Sequence, residues 1–162
     1  MCQVAGDILQ RGGLQGIEGI HCVIAHEPVL KAVAQGACPG IRKLYLDNVQ
    51  GASVSDTEEV MELLAKAMSS SHYQNLKELE LKTFSGYFTT IAEPLKAGAC
   101  PQLDRFVAYH CVDCPEDCEA LVNVLESGAF SNLKELGMGF PYHCGDMPLT
   151  ACNQCIAERG LS

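Results

Sequence analysis

The 162-residue chain predicts an α/β solenoid, a stack of about five irregular strand-and-helix repeats forming one domain over residues 1–162. Three observations predict it. The phrases "VAQGACPGIRKLYL" from Val33, "LKAGACPQLDRFVA" from Leu95 and "LESGAFSNLKELGM" from Leu125 superpose without gaps, and "MSSSHYQNLKELEL" from Met68 joins them. Each ends in L-x-x-L-x-L, in which alternation with a period of two lays apolar side chains on one side of a short strand. Upstream of three of them, apolar residues recur at i, i+3, i+4 and i+7, the spacing of one face of an amphipathic helix.

The elements follow in order. The strand anchors are Ile41, Leu76, Leu103 and Leu133, separated by 35, 27 and 30 residues. The helix faces are Met61, Leu64, Ala65 and Met68; then Phe88, Ile91, Ala92 and Leu95; then Cys118, Leu121, Val122 and Leu125. Pro28, Pro115 and Pro148 suit first helical turns, Ser55-Asp-Thr-Glu58 has the capping-box pattern, and the glycines at 36, 98 and 128 stand where helices must stop. "NVQGASVSDTEE" from Asn48 reads as a Gly/Ser-rich surface bulge. The first repeat is degenerate and admits two registers. Ile17, Ile20, Cys22 and Ala25 is preferred over Leu14, Ile17, Gly19 and Cys22, because it keeps the helix in phase through Leu9 and Gly12 and puts the deletion in a loop.

A strand-helix unit of this length carrying L-x-x-L-x-L resembles the leucine-rich repeat family, in its ribonuclease-inhibitor-like class. The resemblance spans residues 9 to 160. Leu103, Phe106, Ala108 and Cys111 match the family's fuller L-x-x-L-x-L-x-x-N/C, whereas Val49, Phe84 and Pro141 stand where Asn or Cys is usual. The resemblance implies a horseshoe fragment with a parallel sheet on its concave face and helices on its convex face.

Composition narrows the function. A formal charge of −9 and a pI near 4.9 count against a phosphate-binding surface and hence against nucleic acid. No run reaches the ~18 apolar residues of a membrane span, and the N-terminus lacks a basic n-region, so a soluble, cytoplasmic protein with reduced thiols is expected despite ten cysteines. The cluster "HCVDCPEDC" suggests zinc at first sight, but the repeat phase sends Cys111 and Cys118 into the core and leaves Cys114 on a loop ahead of Pro115. Cys38 and Cys100 align with Tyr73 and Phe130 and read as small buried hydrophobes. Cys152 of the "CNQC" tail falls on the apolar face of a last helix, so no metal ligands and no cofactor are expected. "RGGLQGIEG" lacks the Gly-Lys-Ser/Thr ending of a phosphate loop, and no nucleophile has a partner fixed by motif, so no catalytic residue is assigned.

In the family that the chain resembles, function usually lies on the concave face. The outward strand positions are Lys43, Tyr45 and Asp47; Glu78, Glu80 and Lys82; Arg105, Val107 and Tyr109; Glu135, Gly137 and Gly139. Mixed charge with Tyr and Arg suits a protein partner. The expected partner-binding residues are Lys43, Tyr45, Asp47, Glu80, Lys82, Arg105, Val107 and Tyr109. The expectation is therefore a protein-interaction module of unknown partner, whose uncapped ends read as those of a segment of a longer array or of a chain that self-associates through them. Two alternatives stand beside it: a scaffold for small GTPases, as the resemblance to Ran-type activating proteins would imply, and a zinc or thiol-redox protein.

Overall fold

Repeat anchors become a sheet when each buries its leucine ladder against the next. In the computed structural model, which describes residues 16–23, 31–33, 35, 37–38, 40–48, 54–70, 73–112 and 114–139, five short strands do this: β1 (Gly19–Val23), β2 (Lys43–Asp47), β3 (Glu78–Lys82), β4 (Arg105–Tyr109) and β5 (Glu135–Gly139). All neighbours are parallel, in the order β1-β2-β3-β4-β5. Between them run α1 (Val54–Ser69), α2 (Phe88–Lys96) and α3 (Pro115–Glu126), with residues 31–33 also helical. Parallel neighbours require such crossovers, and a chain that repeats one strand-helix crossover makes a solenoid-like stack.

The register is uniform: Gly19, Lys43, Glu78, Arg105 and Glu135 lie side by side, as do His21, Tyr45, Glu80, Val107 and Gly137. Ile20 pairs with Leu44 and Cys22 with Leu46, so the first repeat takes the register that starts at Ile17. Each junction is built the same way. The carbonyl of Glu18 accepts the amides of Arg42 and Lys43, and those of Arg42, Lys77 and Asp104 each accept the corresponding pair from the next repeat, all at 2.7–3.1 Å. Just before each strand a tight turn closes, with Ile41, Leu76, Leu103 and Leu133 amides donating to the carbonyls of Cys38, Tyr73, Cys100 and Phe130 at 3.0–3.1 Å. These four carbonyl residues are the ones aligned from sequence, and all are buried.

The core lies between sheet and helices. Leu44, Leu46, Leu79, Leu81, Phe106, Ala108 and Leu136 meet Met61, Leu64, Met68, Phe88, Ile91, Leu95, Cys118, Leu121 and Leu125. Phe106 stands between Phe88 and Phe130 at ring-centroid distances of 6.1 and 5.5 Å, within the range where aromatic pairs attract. Val124, which the sequence spacing omits, is as buried as Leu121. Tyr73 is buried whole, and its hydroxyl donates to the Val33 carbonyl at 2.7 Å, so the polar tip is satisfied.

The helix ends obey the sequence signals in part. α2 stops in a Schellman motif: Gly98 has φ +79°, its amide donates to the Leu95 carbonyl, and the Ala99 amide reaches back to Pro94. Only a residue without a Cβ takes that φ without strain. Gly128 repeats the conformation after α3, whose first residue is Pro115 as expected. The capping box at Ser55 is a correction, because α1 already includes Val54 and Ser55 therefore lies inside the helix; from Val54 on, the expected surface bulge is helical too. The connection is tied there instead by Asn48, whose amide nitrogen donates to the buried Thr57 hydroxyl at 3.3 Å and to the Thr83 carbonyl at 3.0 Å. The expectations for Ala25, Pro28, Gly36, Val49, Pro141, Pro148 and the Cys152–Cys155 tail lie outside the described residues, as do the two ends of the array.

Candidate functional site: the outward sheet face

Alternation along each strand sends every second side chain away from the helices, and the uniform register lines these up into ranks. The first rank reads Lys43, Glu78, Arg105, Glu135, so opposite charges alternate across four strands. Lys43 Nζ lies 2.6 Å from Glu78 Oε1, and the Tyr45 hydroxyl donates to Glu78 Oε2 at 2.5 Å. Glu80, mostly covered, is held by Lys82 at 2.9 Å through Oε1 and by Arg105 Nη1 at 3.0 Å through Oε2. Arg105 also gives its Nε to Glu135 Oε1 at 2.9 Å, and so bridges β3 and β5 from β4.

These bonds shift the titrations of the groups that make them. Bonds from Lys43 and Tyr45 hold the Glu78 carboxyl below the usual carboxylate range. Burial pushes Glu80 upward, but the bonds from Lys82 and Arg105 outweigh it and the net direction is down. The bond to Glu78 raises Lys43 and Tyr45, and that to Glu80 raises Lys82 and Arg105. Solvent screens surface pairs of this kind, so each adds little to the stability of the fold. Their main effect is to fix long side chains in one arrangement, which lowers the entropy that a binding event must remove.

The aromatic residues of the face are fixed as well. His21 meets Tyr45 edge-on at 6.1 Å, and Lys82 Nζ stands 5.9 Å from the Tyr109 ring centroid, within cation–π range. Tyr109 also lies over Gly139, where a Cβ would fall 2.4 Å from its Cδ1. The bare β5 strand is thus a seat for the ring. With 39% exposure, Tyr109 is the exposed large hydrophobic of the described residues.

Seven of the eight expected binding residues are solvent-accessible on this one face: Lys43, Tyr45, Asp47, Glu80, Lys82, Arg105 and Tyr109. Val107 is the correction. It points outward in phase and lies outside the core cluster, yet it is 0% exposed. Its methyl groups lean to within 3.0 Å of where a Cβ on Gly137 would stand, so it supports the face from below the accessible surface. Two members were read as outward but left out of the site: Glu78, which joins Lys43 to Tyr45, and Glu135, which holds Arg105. His21 was missed because the degenerate first repeat left its register open; extending the Ile17 register by the same count would have found it.

The cysteines take other roles. Cys111 is buried and its thiol donates to the carbonyls of Leu81 at 3.3 Å and Tyr109 at 3.2 Å, so it ties the exit of β4 to β3. It reaches inward because His110 before it has φ +53°, and Thr83 at φ +64° turns Phe84 inward at the equivalent place. Cys118 sits in the core, and Cys114 is the N-cap of α3, its sulfur accepting the Asp117 amide at 3.4 Å. No cluster of three or more metal-ligating side chains occurs among the described residues, and no helix among them is long and apolar enough to cross a membrane. Comparison of the chain with protein-family models, with curated proteins and with solved structures finds no match.

Proposed function

We propose that the chain is a leucine-rich repeat module of the ribonuclease-inhibitor-like class, which captures a protein partner on its outward sheet face and has no catalysis of its own. One observation carries the reading: the side chains of β2, β3 and β4 on that face are locked to one another by ion pairs, with a seated tyrosine beside them, while the opposite face is filled by helices. Holding Arg105 between two carboxylates lowers the side-chain entropy that a partner must remove, and Tyr and Arg are among the residues that most often carry binding energy at protein interfaces.

The test is site-directed photocrosslinking in a source extract. A photoreactive phenylalanine at Tyr109 should give a discrete adduct that the same group at Glu119, on α3, does not give. The triple variant Tyr45→Lys, Glu80→Lys, Tyr109→Lys should fail to compete for that partner while keeping its thermal midpoint within a few degrees. An adduct formed equally well from Glu119, or undiminished competition by the triple variant, would move the site off the sheet.

A further inference from the structure

The ion-pair lattice is unequal in what it leaves over. Its cations are all engaged: Lys43 by Glu78, Lys82 by Glu80, and Arg105 by Glu80 and Glu135. Glu78 and Glu80 use both oxygens of their carboxylates in the same bonds. Two carboxylates keep acceptor capacity. Asp47 makes no ion pair within 4 Å among the described residues, and Glu135 offers Oε2 from a side chain that is 52% exposed. They stand at opposite corners of the face, Asp47 in the rank with Lys82 and Tyr109, Glu135 in the rank with Lys43 and Arg105.

We infer that the partner segment seated on this face is basic, with two cationic side chains that engage Asp47 and Glu135. The inference rests on the reading of the sheet face as the binding surface and adds the chemistry of what it takes. An acidic segment would have to compete for cations that already have carboxylates, whereas a basic one meets carboxylate oxygens that hold no ion pair among the described residues. The net charge of −9 also steers basic partners toward the chain and acidic ones away. Three strand spacings of ~4.8 Å and four residues of ~3.3 Å separate the two carboxylates, a diagonal of ~20 Å. An extended segment crosses that span in about six residues.

The experiment is titration of the ¹⁵N-labelled full chain with the peptides (Gly-Arg)4 and (Gly-Glu)4, followed by amide shifts. Two double variants take the net charge from −9 to −7 alike: Asp47→Asn with Glu135→Gln on the face, and Glu116→Gln with Glu119→Gln on α3. The expected result is that (Gly-Arg)4 shifts β2 to β5 amides and (Gly-Glu)4 does not. Affinity should fall about fivefold or more in the face variant, the equivalent of ~1 kcal/mol, and stay within about twofold in the α3 variant. Equal weakening in both variants, or no response to (Gly-Arg)4, would overturn the inference. A face that responds only to (Gly-Glu)4 would overturn it while leaving the binding surface standing. Shifts confined to α2 and α3 would remove the binding surface itself.

Discussion

Replacing Asp117 with alanine should loosen the joint between two helices. Asp117 is 0% exposed and sits in the first turn of α3, where the N-terminal end of the helix favours a negative charge. Its Oδ1 also accepts the amide of Thr89, in the first turn of α2, at 3.1 Å. That helix has no acidic residue in its first turn and no side-chain cap from Tyr87 at its N-cap position. One carboxylate of the following helix therefore supplies what α2 lacks. A lost helix cap costs ~1 kcal/mol, and a lost hydrogen bond to a charged group 1.5–3 kcal/mol, so Asp117→Ala should destabilise by ~1–3 kcal/mol. For a domain of this size that lowers Tm by about 2–12 °C. Asp117→Asn keeps an acceptor without the charge and should fall between. Urea denaturation measures the free energies, and amide exchange locates them: Thr89 and Thr90 should lose protection before β3 does. Parent-like stability together with unchanged protection at Thr89 would refute the reasoning, because the carboxylate would then contribute nothing across the joint.

Three other outcomes are expected. Gly139→Ala places a methyl group where the Tyr109 ring lies, so the Tyr109 ring resonances should shift markedly while stability changes by less than about 1 kcal/mol, since alanine in place of glycine recovers backbone entropy; an unmoved ring would contradict the seat. Alkylation mapped by mass spectrometry at pH 7.5 should find Cys22, Cys38, Cys100, Cys111 and Cys118 protected in the native chain, with half-exposed Cys114 labelled ahead of these five but more slowly than a free thiol. Burial pushes Cys100 up to about 12 and, with help from Cys38, Cys22 to about 11, while burial and the nearby Asp117 carboxylate push Cys114 to about 11; free-thiol rates at Cys100 would count against the buried assignment. Finally, Glu78 and Glu80 titrate below the ordinary 4.5 in the folded chain. The stability they contribute is present above that value and is lost as pH falls through their lower folded values. Urea midpoints should therefore drop below pH 4.5, and Glu78→Gln should flatten the drop; an identical slope in the variant would assign it to other carboxylates.

The sequence made the repeat legible because its signals are local. Anchors such as Leu76 and Leu103 recur with their turn residues at a fixed offset, and even the degenerate first strand could be phased by carrying that offset back to Ile17. What escaped depends on distance through space. Nothing near Asp117 in sequence marks it as the cap of a helix that begins 29 positions earlier, because that meeting is created by the packing of α2 on α3. The same holds on the face. Lys43, Arg105 and the tyrosines were found by alternation alone, but which carboxylate each would hold follows from register between strands. Val107 shows the limit of alternation: phase tells which way a side chain points and says nothing about what covers it. The capping-box pattern at Ser55 placed the helix start one residue or more too late, since α1 already includes Val54.

Because one carbonyl at each of the four described junctions receives two amides from the coil that follows, the described coils dock through the same fitting. Duplicating or deleting a whole coil would leave the remaining fittings intact and would lengthen or shorten each row of outward residues by one place. Such a scaffold can change the extent of its outward face by changing its number of units, a route closed to proteins whose layers interlock.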